Sequence, residues 1–251
     1  MRRIATAIGL LILVASPRAN AAEIKALITT AMQAAIVELV PPFERATGHK
    51  VTVSYDPSGG LARRLRGGEF ADMILIASIE LDRLIGDRNV KDRTDVSRTG
   101  IGLAVRKGAP HPDVSTPDAL KRTLLAAKSI GQTSIEGGGI TALHVQRVLS
   151  ELGIREQVSG KLKFAAGGPN GRVSVLVASG EAEIGLQQVS ELMSNPEVEV
   201  IGLLPDTLQQ ITINAAGVTA IAKEPDAARA LIRHLTTPEA LAIYKAKGLG
   251  L

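Results

Sequence analysis

Residues 23–28, Glu-Ile-Lys-Ala-Leu-Ile, read as a short buried strand. Met32, Ala35, Ile36, Leu39, Val40 and Phe43 then recur at helical spacing and predict an amphipathic helix up to Thr47-Gly48. Pro41-Pro42 falls inside that pattern and is expected to kink or split the helix, because proline removes a backbone donor and clashes with the preceding turn. Lys50–Tyr55 alternates as a strand. A helix follows "DPSGG", Asp72–Ala77 is an apolar strand, and Ile79–Leu84 is a helix. Thr116-Pro117-Asp118 and Thr237-Pro238-Glu239 each place a capping Thr, a Pro at the first helical position and an acid in the first turn. Between them the pattern gives strands near 129–132, 161–165, 183–186 and 198–203, and helices near 141–152 and 172–178. This strand–helix rhythm predicts an α/β protein with mostly parallel sheets covered on both faces.

Ligands in such sheets bind beyond the carboxyl ends of the strands. Four small or Gly-rich loops stand there, each before a helix: Thr29-Thr30-Ala31, Pro57-Ser58-Gly59-Gly60, Ser134–Gly139 and Gly168–Gly171. Helix starts of this kind can hold an anion on backbone N–H groups. The second loop lacks the Gly-Lys-Ser/Thr end of a nucleotide-phosphate loop and the spacing of a dinucleotide fingerprint. Its simpler reading is a helix that starts near Gly59 with Ser58 as its cap.

Composition narrows the setting. Arg2 and Arg3, the apolar run 4–15 and Ala19-Asn20-Ala21 form the three parts of an export signal, expected over 1–21. That segment holds Arg2, Arg3 and Arg18 and no acid, so removing it leaves 26 basic against 25 acidic residues. With no Trp, two Tyr and three Phe there is little to stack bases on, and nucleic acid is not an expected partner. Cysteine is absent, so an exported chain must stabilise itself by its core alone. His49, His111, His144 and His234 show no metal-ligand spacing, and no Gly-x-Ser-x-Gly elbow occurs; no metal and no cofactor are expected.

The stretch "PPFERATGHKVTVSYDPSGGLARRLRGGEFADMILIAS" resembles the N-terminal lobe of periplasmic solute-binding proteins of the two-lobed, two-crossover type, and among them the molybdate-binding proteins. "VSVLVASGEAEIGLQQVSEL" is similar to their second lobe. The resemblance covers nearly the whole chain after the export segment. It implies a type II periplasmic-binding-protein fold: an α/β protein of two lobes joined by two crossover strands. It implies lobe one over 22–103 plus 218–251, and the crossovers with lobe two over 104–217. The crossing strands are expected near Leu103–Arg106 and Ile211–Val218. A small anion would sit in the cleft of a monomer in the periplasm, and the closed complex would dock on the membrane subunits of an ABC importer. The contacts implied are Thr29 or Thr30, Ser58 with Gly59, the loop 136–139 through Gly137 and Gly138, and Gly171. Gln188 stands where the molybdate binders place a tyrosine, Gly60 where they favour Ser, and Thr30-Ala31-Met32 where they favour Ala-Ser-Leu.

Two ligand classes remain open. A tetrahedral oxyanion is satisfied by neutral N–H and O–H donors. An arginine in the cleft would instead favour a carboxylate, whose two oxygens match its fork; Arg98 and Arg172 are the candidates. Arg63, Arg64 and Arg66 read as one solvated helix face. "RTGIGLAVRKGAPHPDVSTPDALKRTLLAAKSI" is similar to a small enzymatic branch of the same fold, the periplasmic aconitate isomerases, which move a proton across an allylic tricarboxylate. On that reading a base and an acid are needed at the substrate carbon, with Glu136 and Asp56 the candidate catalytic residues and Tyr55 beside them.

Overall fold

The structure is a computed structural model and describes residues 21–136, 140–166 and 172–250. The expected export segment, apart from Ala21, lies outside these residues, as do Gly137, Gly138 and Gly171. In chain order the strands are β1 (Glu23–Thr29), β2 (Lys50–Asp56), β3 (Met73–Ala77), β4 (Thr94–Thr99), β5 (Ile101–Arg106), β6 (Ile130–Thr133), β7 (Leu162–Ala165), β8 (Ile184–Gln188), β9 (Val198–Leu203) and β10 (Thr212–Val218). The helices are α1 (Gln33–Thr47), α2 (Ser58–Arg66), α3 (Ser78–Gly86), α4 (Pro117–Ala126), α5 (Ile140–Glu151), α6 (Arg155–Val158), α7 (Val173–Ser179), α8 (Val189–Leu192), α9 (Pro225–His234) and α10 (Pro238–Ala246).

The strands form two sheets of the same design. The first has the order β2-β1-β3-β10-β4 and the second β7-β6-β8-β5-β9. In the first, β1 runs parallel to β2 and β3, and β10 is antiparallel to β3 and β4. In the second, β6 runs parallel to β7 and β8, and β5 is antiparallel to β8 and β9. Each sheet is covered on both faces, which is why β3 (Met-Ile-Leu-Ile-Ala) is buried along its length. One face of the first sheet packs Ile24, Ile28 and Leu75 against α1, α9 and α10; the other packs Leu27, Ile74 and Ile76 against α2 and α3. In the second, Ile130, Ile184 and Leu186 meet α4 and α5, while Ala104 and Ala165 meet α7 and α8. The result is the two-lobed α/β architecture.

The chain changes sheets at Gly100, between β4 and β5, and returns between Leu203 and Thr212. β5 belongs wholly to the second sheet and β10 wholly to the first, so residues 101–103 join the second lobe, and the chain switches sheets just ahead of the crossings expected near Leu103–Arg106 and Ile211–Val218. Ile101, Leu103 and Val105 all face the second core, which draws the whole strand to that side.

Both Thr-Pro-acid helix starts form as read. Thr116 Oγ1 accepts from the Ala119 N–H at 3.1 Å, and Thr237 Oγ1 accepts from the Ala240 N–H at 3.3 Å. Two local expectations fail. Pro41 and Pro42 lie inside one continuous helix, α1. Both prolines are exposed, as are Val37 and Glu38 one turn back, so water can take the carbonyls left without donors. Ser58 is not a cap: Pro57 precedes the first turn and Ser58 is its first residue, with no capping bond. Its hydroxyl is used elsewhere.

Candidate functional site

The carboxyl ends of β1, β2 and β3 bring Thr29, Tyr55, Ser58 and Ala77 together. Ser58 Oγ accepts from the Ala77 N–H at 3.0 Å and donates to Thr29 Oγ1 at 3.2 Å. Thr29 and Ser58 are buried. Thr29 accepts in this pair and so keeps its own proton to offer a ligand. Tyr55 and Asp56, neighbours on β2, point to opposite faces. Tyr55 packs on the α1 side and feels the charge of Arg172; burial pushes its phenol up to about 12, so it stays a neutral donor at ordinary pH.

The second wall is built from the carboxyl ends of β6 and β8 and the start of α7. Gly131 and Gly185 pair across β6 and β8. A Cβ on Gly185 would lie 2.6 Å from Val173 Cγ1 and 2.7 Å from Val177 Cγ2, so glycine is what lets α7 lie this close to the sheet. That packing holds Arg172, just before α7, in the cleft. Its guanidinium donates to Ser194 Oγ at 2.8 Å on its own wall and to Gln33 Oε1 across the cleft. Its Nε is buried and has no partner. Burial lowers the Arg172 pKa, opposed by the nearby Glu191 and Tyr55; an arginine starts high enough to stay charged.

Glu191, in the first turn of α8, is buried in the same place. Thr30 Oγ1 donates to its Oε1 at 2.9 Å, a second bond across the cleft. Burial pushes its carboxyl up from the ordinary range, while Thr30, Arg172 and Gln187 pull the other way. Gln187 Oε1 accepts from the Val173 N–H at 3.1 Å, which ties β8 to the start of α7. Gln188 is buried beside Thr141, with its Oε1 unpartnered.

Thr29, Thr30, Ser58, Arg172 and Gln188 therefore stand at strand ends on the two walls, with Gly59 in the first turn of α2. Other candidates stand elsewhere. Arg98 is exposed on the edge strand β4, where its backbone bonds to Leu249 and its surroundings are Tyr244, Lys245 and Gly250. Asp56 turns to the α2 face: a Cβ on Gly60 would lie 2.9 Å from its Oδ2, and that oxygen pairs with Arg64 at 3.5 Å. Glu136 is exposed and accepts from Ser134 Oγ at 3.0 Å; its carbonyl takes a 3.5 Å contact from Arg63 across the cleft. Arg63 and Arg66 are exposed and Arg64 half-buried, in keeping with a solvated face, and Arg64 and Arg66 pair with Glu69 and Asp87. Glu191, Gln33, Gln187 and Ser194 were missed. The signal for Glu191 was an acid three residues beyond a buried strand end, in "IGLQQVSEL". Among the described residues no group of three or more His, Cys, Asp or Glu could hold a metal ion.

The chain is similar to an aconitate isomerase from a Pseudomonas species, 33% identical over 254 residues that cover 97% of this chain and 94% of that protein. It is 27% identical to the molybdate-binding protein ModA of Azotobacter vinelandii over 244 residues, 93% of this chain and 92% of that one. The solved periplasmic molybdate-binding protein of A. vinelandii superposes with a TM-score of 0.74 at 19% identity, covering 91% of this chain and 99% of that chain. A family model matches residues 24–250. Two five-stranded sheets of matching order, a cleft between their strand ends and a match over that length make the chain a member of the bacterial extracellular solute-binding proteins.

Proposed function

We propose that the protein is exported to the periplasm and captures a small carboxylate anion in the cleft between its lobes, as the soluble receptor of an ABC importer. The lobes would be the two sheets with their helices, hinged at Gly100 and in the segment 204–211. The observation that carries the ligand class is Arg172: a guanidinium inside the cleft, with a buried Nε that has no partner. Its fork matches the two oxygens of a carboxylate. Thr29, Tyr55 and the first turn of α2 would add neutral donors. Titration calorimetry of the mature protein with cis-aconitate, trans-aconitate, citrate, molybdate and sulfate tests the reading. Carboxylate binding that Arg172→Ala removes supports it; tight molybdate or sulfate binding with no carboxylate binding overturns it.

A second reading has its own support. The relative sharing 33% identity over 97% of the chain is an aconitate isomerase, and Glu191 is a buried carboxyl of raised pKa in the cleft. On this reading Glu191, rather than Asp56 or Glu136, removes the allylic proton of aconitate and returns it at the far carbon while Arg172 clamps a carboxylate. A pKa raised by burial suits a carboxyl that takes up a proton from the substrate and returns it. Incubation with either aconitate isomer, followed by chromatography, should show interconversion, and Glu191→Gln should lower the rate by ~10²-fold or more while binding survives. No conversion above the buffer control, at protein concentrations that bind the ligand, leaves the receptor alone.

A further inference from the structure

Alternation along the second sheet places Ile130 and Gln132 of β6 on one face, with Ile184, Leu186 and Gln188 of β8. This face is covered by α5 through Val145, Val148 and Leu149. At the carboxyl ends of the strands the apolar packing gives way to two carboxamides. Gln132 is wholly buried, and neither its Nε2 nor its Oε1 has a hydrogen-bond partner. Gln188 is 8% exposed; its Oε1 has no partner, and its Nε2 has only a long 3.5 Å contact to Thr141 Oγ1 in the first turn of α5. Buried amides left unpaired are costly, and folded proteins keep few of them.

The two ends of each amide are interchangeable by rotation. Turning Gln188 lets the Thr141 hydroxyl donate to Oε1 and frees the Nε2 group. Gln188 then offers an N–H donor beside Thr141 in the first turn of α5, where the helix dipole favours negative charge, and the unpartnered Gln132 amide lies on the same face of the sheet. Arg172 lies before α7, on the opposite face of the same sheet. The two sets of donors thus flank the carboxyl end of β8 from either side.

We infer that Gln132, Gln188 and Thr141 form a second oxygen-binding subsite, which takes the far carboxylate of a ligand whose first carboxylate is held by Arg172. The inference rests on the carboxylate reading of the cleft and makes the ligand a di- or tricarboxylate. A compact tetrahedral oxyanion has no second limb to place on the far side of β8. The amides carry no charge, so they hold the second limb by directed hydrogen bonds and leave the strong ion pair to Arg172.

The test is calorimetric titration with four probes: tricarballylate, glutarate, butyrate and molybdate. The wild-type protein should bind tricarballylate or glutarate at least tenfold more tightly than butyrate. Gln132→Leu and Gln188→Leu should each remove most of that advantage. Gln188→Asn, which keeps the amide but withdraws it by one methylene, replaces the Leu variant if circular dichroism shows that variant unfolded. Wild-type protein that binds none of the carboxylates overturns the carboxylate reading itself, and this subsite with it. Wild-type protein that binds tricarballylate, together with folded variants that bind it equally well, leaves the carboxylate reading standing and overturns the subsite alone.

Discussion

On the first wall of the cleft the Ser58 hydroxyl donates to Thr29 and accepts from the Ala77 N–H; on the second, Arg172, Gln132 and Gln188 keep polar atoms without partners. The contrast extends through the protein. Of the seven buried side-chain atoms without partners among the described residues, six belong to elements of the second lobe, and the other is Asn214 Oδ1 on β10. Arg172 and the titratable Glu191 also meet inside the cleft from the second wall. Satisfied groups hold a shape; unsatisfied ones wait for a ligand. The hydrogen-bonded hydroxyls of the first wall should therefore respond to mutation through stability, and Arg172 and the two glutamines of the second through affinity.

The largest effect should come from Arg172→Ala. Removing a charged partner of a carboxylate should cost about 2–3 kcal/mol of binding, or roughly 30- to 150-fold in affinity. Arg172 bonds to Ser194 and Gln33 but leaves its Nε unpartnered, so the melting temperature should fall by less than with Ser58→Ala. Calorimetry and thermal denaturation on the same sample check both halves. A large fall in melting temperature with unchanged affinity would invert the assignment of the two walls.

Ser58→Ala should do the reverse. It strips the acceptor from a buried Ala77 N–H and the donor from Thr29, and an unpaired buried donor costs about 1–3 kcal/mol of folding stability. Urea denaturation reads that loss, and affinity should fall less than with Arg172→Ala. Stability at the wild-type level would mean that the Ser58–Ala77 bond contributes nothing measurable.

The pH response belongs to the second wall. Burial holds the Glu191 carboxyl above its ordinary range. In the unfolded chain the same group ionises near the usual glutamate value of about 4.3. Between that value and the raised native one, the folded protein binds more protons than the unfolded chain. Stability from this group is therefore complete below the usual glutamate range and falls as pH rises through the window above it. Glu191→Gln should flatten that fall in a urea series run from about pH 4 to pH 8. A slope identical in both proteins would show that Glu191 does not titrate there.

Much of the first wall was legible in the sequence because its signals are local. A strand, a small residue and a helix start follow one another within a few positions, as in Tyr55–Gly60. The role of Ser58 was half read: the loop was singled out, but a cap and a hydroxyl aimed at Thr29 leave the same mark. The second wall is less legible, because its function depends on neighbours far away in the chain. Arg98 and Arg172 look equivalent in sequence; the edge position of β4 exposes one, and α7 packed on Gly185 holds the other in the cleft. Asp56 and Glu136 were chosen for nearness to the loops, yet strand alternation turns the first to Arg64 and the second is exposed. Glu191 escaped notice because a Glu in the first turn of a helix ordinarily faces water.

The smallest expected effect sharpens the comparison most. Gln33 lies in the first turn of α1 and accepts from the Arg172 guanidinium across the cleft. It is the first wall's only described hydrogen bond to that arginine. Gln33→Ala removes it, but Arg172 keeps its 2.8 Å bond to Ser194 on its own wall. Gln33 is only partly buried, so water can replace the lost acceptor. The net change should be about 0.5–1 kcal/mol, or roughly two- to fivefold in carboxylate affinity. A double variant, Gln33→Ala with Ser194→Ala, separates local from cross-cleft support. If the second wall positions its own arginine, Ser194→Ala should cost more than Gln33→Ala, and the two losses should add to no more than the Arg172→Ala loss. If Gln33→Ala alone approaches the Arg172→Ala value, the arginine is placed by the opposite lobe, and ligand affinity is set by cleft closure rather than by the second wall.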